Sequence, residues 1–293
     1  MPSRQPFTSL CQATARPRHT GRADLHTHTT ASDGVYTPAQ VVDLAHRCAL
    51  AAVAITDHDT LAAIEPARRA AAGTGVEVIS GVEISAEYHG LELHLLAYFV
   101  DPLDAPLNAA LALLREHRVT RFLEMARRLQ SCGVPLDEAE TQQAAHRGSV
   151  GRPHLAELIV KAKRAGSVRD AFLRYLGDQG SVAVPKRRLD VKEAIALVRG
   201  AGGVSSWAHP PPTCDRAALE ELRGWGLTAV EVEYPGLRSG RQRELRGWAR
   251  ELGLAITGGS DCHGPGDHRR TVGSSTIGDE ELLVLRKRAG VKG

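Results

Sequence analysis

The 293-residue chain is 42% apolar and 24% charged with a formal charge of +3, which suits a globular protein with one full core and is too mild to argue for a nucleic-acid partner by itself. Its five scattered cysteines (Cys11, Cys48, Cys132, Cys214, Cys262) include no C-x-x-C pair, which excludes a disulfide framework or zinc ribbon and points to a reducing cytoplasm. No apolar run approaches the roughly 18 residues of a membrane span.

Residues 1–21 are rich in Arg, Ser, Thr, Pro and Gln, with no acidic residue and no continuous apolar stretch of the kind a secretory signal needs. A disordered basic arm is expected there. From residue 22, apolar or β-branched runs alternate with helical patterns. Strands are predicted over 23–27, 52–56, 76–80, 91–99, 204–208, 229–233 and 255–258. Helices are predicted over 38–48 and 61–72, where apolar residues recur at i, i+3 and i+4. Thr37-Pro38 is a start signal and Gly73 a stop. Further helices over 191–199, 216–222 and 241–252 each precede a strand. Such alternation means a mostly parallel sheet or barrel. Between 104 and 190 the rhythm breaks, with helices predicted over 107–131, 152–162 and 168–176 and almost no strand signal. The expected organisation is α/β: a metal-binding barrel over 22–103 and 191–293, and an α-helical insertion over 104–190 that covers the active site.

Nearly every predicted strand carries something chemical. "DLHTHTTASDG" puts His26 and His28 on one strand face, with Asp33 close behind. "TDHDT" adds Asp57, His58 and Asp59, and "GVEIS" places Glu83 just after the third strand. "HLLAY" carries His94 inside the fourth, "AHP" ends in His209, and "GGSDCHG" delivers Asp261 and His263. In parallel α/β folds the loops at the carboxyl ends of strands share one face. Taken singly, each motif has a plain reading as a polar turn, a core histidine or a solvated loop. Six histidines and three carboxylates converging on one face are another matter, since without cations so many buried polar groups would lie unpaired. Cys262, between two residues that share a face, reads as packing.

In this order the motifs resemble the PHP (polymerase and histidinol phosphatase) family, from about residue 24 to the glycines near 278. The resemblance implies a distorted (β/α)7 TIM-like barrel holding two or three divalent ions (Mn, Zn or Fe). It implies His26, His28, Glu83 and Asp261 around a first ion, with Glu83 bridging to a second held by His94 and His209. Asp33, His58 and His263 would hold a third, with Asp33 standing where some branches have histidine. Asp24, Asp57 and Asp59 are placed to orient the ligand histidines, with a plain turn or strand-end role as the alternative for each. Three carboxylates against three divalent ions leave roughly three net positive charges, suited to a phosphate dianion and hydroxide. The attack would fall to a metal-held hydroxide, with Asp261 or His209 assisting the proton.

Within the family, "REHRVTRFLEMARRLQSCGV", "SVGRPHLAELIV" and "YLGDQGSVAVPKR" resemble the TrpH/YciV-like branch. Its members hydrolyse 3′,5′-nucleoside bisphosphates or remove 5′-terminal nucleotides from short RNA. The expected reaction is therefore hydrolysis of a pAp-type bisphosphate to the 5′-monophosphate and phosphate, in the cytoplasm, with no membrane and no obligate protein partner. Arg118 and Arg121, one helical turn apart, are candidates to hold the second phosphate. Arg152 with His154, and Lys186, are others, and a solvated basic helix face is the alternative for all of them. The nearest rival is a 5′→3′ exonuclease on 5′-phosphorylated RNA or DNA oligonucleotides. The arginine-rich segment speaks against a histidinol phosphate phosphatase, and the complete ligand set speaks against a non-catalytic metal-binding PHP module.

Overall fold

Thr37 accepts a hydrogen bond from the Gln40 amide while the Gln40 side chain accepts from Thr37 N, 2.8 Å away. With Pro38 setting the first turn, this reciprocal cap starts α1 (Pro38–Arg47), whose Val41, Val42 and Ala45 are buried. The computed structural model describes residues 21–291 except 147, 178, 179 and 181. Apart from Gly21, the arm expected over residues 1–21 lies outside the described residues, as does Cys11.

Strands β1 (Ala23–Asp24), β2 (Ala52–Ile55) and β3 (Glu77–Tyr88) pair in parallel, with α1 and α2 (Ile64–Ala71) in the connections. β3 is much longer than the predicted 76–80 and carries Glu83 in its interior, not after its end. Gly81 looks like a strand terminator in the sequence, yet a Cβ there would sit 2.8 Å from Ala97 O. It permits a close backbone approach inside the sheet. β3 then turns through His89 and Gly90, both at positive φ (49° and 79°), into β4 (Leu91–Tyr98). Two such residues make the mirror-image turn that suits a tight hairpin. β4 is consequently antiparallel to β3 and also to β6 (Val204–Trp207), so the sheet is mixed. β7 (Ala229–Glu233) and β8 (Ala255–Gly258) restore parallel pairing, and β5 (Leu189–Asp190) adds a short edge to β3.

Leu25 N donates to Gly258 O at 3.1 Å, and Thr27 bridges Cys262 in the parallel sense. The chain leaving β1 thus lies beside the chain leaving β8, and seven strands form a nearly closed, distorted TIM-like barrel. Alternation divides its packing. Ala52 and Ala54 join Ile79, Leu96 and Tyr98 in one apolar cluster, while Val53 and Ile55 join α1 and α2 in another. Around the barrel stand α7 (Val191–Gly200), α8 (Arg216–Trp225), α9 (Ser239–Leu252) and α10 (Asp279–Arg288).

The middle segment is helical: α3 (Ala105–Ser131), α4 (Glu138–Ala145), α5 (Arg152–Lys161) and α6 (Val168–Ala171), which runs on into wider turns over Phe172–Leu176. Asp104 caps α3 by accepting from Leu107 N at 2.8 Å. The first half of α3 buries Leu107, Leu111 and Leu114 in the barrel's core, and the second half buries Phe122, Met125 and Leu129 in a cluster of the helical segment's own. One helix therefore ties the two cores together.

Candidate metal centre

The extended chain after β1 turns His26 and His28 to the same side, and both side chains are fully buried. Glu83, 1% exposed, reaches the same space from the middle of β3. Its two oxygens face different imidazoles. Oε2 lies 3.4 Å from His26 Nε2, 3.2 Å from His28 Nε2 and 3.2 Å from His58 Nδ1. Oε1 lies 2.8 Å from His94 Nδ1 and 3.1 Å from His209 Nε2. Because β4 is antiparallel, His94 enters from within its strand, opposite Ser85. Asp261 follows β8 and sets Oδ1 3.3 to 3.4 Å from His26, His28 and His263. Asp33 faces His263 at 3.4 Å and His58 at 3.9 Å. All nine residues singled out in the sequence meet here.

Several of these contacts are not hydrogen bonds. His26 Nε2, both nitrogens of His28, His58 Nδ1, His94 Nδ1 and Asp33 Oδ1 are buried without a hydrogen-bonding partner, although carboxylate oxygens lie close by. Donor atoms that approach one another without pointing at one another are arranged about shared points in the space between. That is what ligands of common cations do, and the mixed imidazole and carboxylate set fits divalent ions of the Zn, Mn or Fe type. Among the described residues three groups are compact enough to hold one: His26, His28 and Glu83; His58, Glu83 and His94; and His28, Asp33, His58 and His263. A neutral imidazole has one free lone pair, so His28 and His58 can each serve only one of the two groups they touch.

Burial alone would raise the carboxylates and lower the histidines. The histidines nevertheless hold Glu83 and Asp33 well below the usual carboxylate range. His28 goes the other way from what burial asks, because Asp261 and Glu83 carry it up to about 10. Burial wins at His58, which falls to about 3. Three residues of the site, Asp59, His209 and Asp261, adopt left-handed backbone (φ 52°, 30° and 52°), the strain typical of functional loops.

Asp24, Asp57 and Asp59 were expected to orient ligand histidines, and their bonds go elsewhere. Asp24 accepts from the backbone amides of His26, Ser260 and Gly273. Asp57 accepts from Thr29 N, Thr29 Oγ1 and Ser32 Oγ. Asp59 accepts from Ser85 and from Arg118 Nε at 2.6 Å. These carboxylates fix the loops and leave the rings alone. The ring-holding carboxylates went unread in the sequence: Glu231, fully buried, whose Oε1 is 2.9 Å from His26 Nδ1 and whose Oε2 accepts from His209 N at 2.6 Å, and Glu92, 3.2 Å from His94 Nε2. The signal for Glu231 was "AVEVE", where Val230 and Val232 face the core and turn the glutamate inward.

A cleft of about 780 Å3 runs from Asp33, His58 and His94 between the barrel and the helical segment. Arg118, Arg121, Arg152 and Lys186 line it, as does Arg188. Arg118 is held by Asp59, Arg121 donates to Val184 O, Arg152 donates to Leu176 O, and Lys186 bonds Glu92 at 2.6 Å. His154 is absent from that lining. Its Nδ1 accepts from Gly151 N at 3.1 Å, capping α5, and its side chain borders a separate small hollow with Glu140 and Lys161.

The model of the PHP domain matches residues 24–168. The chain is 33% identical over 251 residues to a 5′-3′ exoribonuclease of Haemophilus influenzae, covering 84% of this chain and 91% of that protein. It belongs to the PHP family. Over 256 residues it is 30% identical to a 3′,5′-nucleoside bisphosphate phosphatase of Chromobacterium violaceum, covering 85% of this chain and 90% of that one. A solved structure from Bifidobacterium adolescentis, described as that of a metal-dependent phosphoesterase, superposes with a TM-score of 0.84 at 31% identity. It covers 91% of this chain and 96% of the other. The barrel of this chain is therefore a family architecture.

Proposed function

We propose that this PHP protein is a divalent-metal-dependent phosphoesterase that hydrolyses the 3′-phosphate ester of a nucleotide bearing a 5′-phosphate, with pAp-type bisphosphates as the minimal substrate. The observation that carries the reading is the division of Glu83 between two sets of imidazoles at the head of a cation-lined cleft. In this reading His26, His28, Glu83 and Asp261 hold one ion, Glu83, His94 and His209 a second, and Asp33, His58 and His263 a third. Bound divalent ions supply Lewis acidity and lower the pKa of water toward neutrality. Glu231 keeps His26 in the tautomer that offers Nε2, and Glu92 does the same at His94 for Nδ1. Counting Glu231 lowers the net charge of the loaded site from roughly three to about two, still enough to favour a phosphate dianion.

Arg121, Arg152 and Lys186 meet the phosphate that is not cut, and the helical segment over 104–190 serves as the wall that presents the two arginines. Removing a charge-assisted hydrogen bond costs about 1.5–3 kcal/mol. Arg121→Ala and Arg152→Ala are therefore expected to lower kcat/KM for pAp about 10- to 100-fold while metal content stays unchanged. Steady-state kinetics with metal analysis of the same samples tests this; unaltered kcat/KM in both variants would remove the clamp.

A second reading, 5′→3′ exonuclease action, is favoured by the cleft's size. About 780 Å3 lies toward the upper end of the about 300–1,000 Å3 range of small-molecule sites and leaves room beyond a first nucleotide. Both reactions would break the same bond, and they differ in what the 3′-phosphate carries.

A further inference from the structure

The loop over 264–270 forms a second cleft on the cluster, about 370 Å3 in volume, away from the cation-lined one; Asp33, Asp261, His263 and Arg270 border it. Here Arg270 Nη1 donates to Asp261 Oδ2 at 2.6 Å and Nη2 donates to the Tyr234 hydroxyl at 2.5 Å. The hydroxyl in turn donates to the same Oδ2 at 3.1 Å. The guanidinium also lies 5.1 Å from the centre of the Tyr234 ring. The carboxylate's other oxygen, Oδ1, is the one that faces His26, His28 and His263.

We propose that Arg270 and Tyr234 clamp Asp261 so that it meets the ions through Oδ1 alone, making Arg270 a positioning residue that sets metal affinity and coordination. The inference rests on the metal reading of the cluster given above. A carboxylate with both oxygens free beside a cation can chelate it through both. With Oδ2 occupied by two donors, only Oδ1 is available, and the left-handed backbone at Asp261 (φ 52°) keeps that oxygen aimed inward. Arg270 does not border the cation-lined cleft, so it acts through Asp261 and not on the nucleotide. Outer partners of this kind typically change metal affinity 10- to 100-fold.

The test is a cobalt(II) titration of the metal-stripped full chain, read by stoichiometry and by the visible absorption band, with kcat and KM for pAp from the same samples. Arg270→Met is expected to weaken uptake roughly 10- to 100-fold and to shift the band as Asp261 turns to two-oxygen binding. In that variant kcat should fall while KM for pAp holds, and Arg270→Lys, which still donates to Oδ2, should restore most of the wild-type band. Tyr234→Phe should shift the band in the same direction by less, and it carries the test if Arg270→Met does not fold. Wild-type cobalt uptake with an unchanged band and affinity in the variants overturns the clamp. A rise in KM with metal binding intact also overturns it, since Arg270 would then be touching substrate. A wild-type chain that takes up no cobalt overturns the metal reading itself.

Discussion

Glu83 stays ionised at 1% exposure because His58, His94 and His26 surround it, and the same attraction works back on the rings. Burial pushes His28 down, but Asp261 and Glu83 carry it up to about 10, above its ordinary 6.5. In the metal-free protein this pairing stabilises the fold at pH below 6.5 and fades as pH rises through about 10. Ligation requires the neutral ring, so ion uptake has to displace the proton. Calorimetric titration with Mn(II) at pH 7, in two buffers of different ionisation enthalpy, is expected to show proton release and weaker binding on acidification. Uptake that releases no proton would contradict this charge pattern. Eight of the nine convergent residues were legible because each lies close behind a strand or alternates with apolar neighbours, and Asp33, in a turn, because it shares a short motif with His26 and His28. Glu231 and Glu92 went unread because a glutamate in a strand looks solvated until the strand's inner face is known. For Arg270 the sequence carries no signal, since a loop residue 9 positions from Asp261 meets it only through the fold.

Among the elements, α3 ties the barrel to the helical segment by contributing to both cores. Its Arg118, 10% exposed on the side chain, pairs with the fully buried Asp59 and also donates to Ser85 Oγ at 2.9 Å. Burial pushes Asp59 up, but Arg118, with Lys186 behind it, holds it below its ordinary value of 3.8. A depressed carboxyl contributes stability that is present above its unfolded pKa and lost as pH falls. Arg118→Met leaves Asp59 buried without its counter-charge, held only by Ser85, which is expected to cost about 3–5 kcal/mol at pH 7. The gap should narrow at lower pH as the carboxyl takes up a proton. Urea unfolding of both proteins at pH 7 and in mild acid checks it, and a gap that is absent or grows in acid would count against the pairing. The helices with caps and strong stripes, α1 above all, were readable from sequence. The length of β3 was hidden by Gly81, and the reversal of β4 by a turn, His89-Gly90, that reads as an ordinary loop. Neither α4 nor α10 shows a stripe, because the apolar residues of α4 are all alanine and those of α10 fall in one consecutive run, Leu282 to Leu285, of which Leu282 and Leu285 are buried.

Across the whole molecule, the alternation of strands and helices already implied a mostly parallel sheet or barrel; the sheet found here is mixed, and Glu83 and His94 reach the site from inside β3 and β4 and not from strand ends. The cluster opens on two clefts that share Asp33, the larger lined by cations and the smaller bordered by Arg270. Among the described residues no helix is long and apolar enough to cross a membrane. The modest charge of +3 conceals a local concentration of arginine and lysine in the larger cleft, and this contrast between a mild total and a charged wall suits a short, doubly phosphorylated substrate. In the proposed reaction the metals act on one phosphate while that wall reads another. The most direct test is phosphate or nucleotide release by the Mn-reconstituted protein from pAp, AMP and a 5′-phosphorylated RNA trinucleotide in parallel. The expected result is rapid turnover of pAp with little from AMP, and release of 5′-mononucleotides from the trinucleotide would extend the same cut to RNA. Equal turnover of AMP and pAp, or none of pAp and trinucleotide alike, would contradict the account.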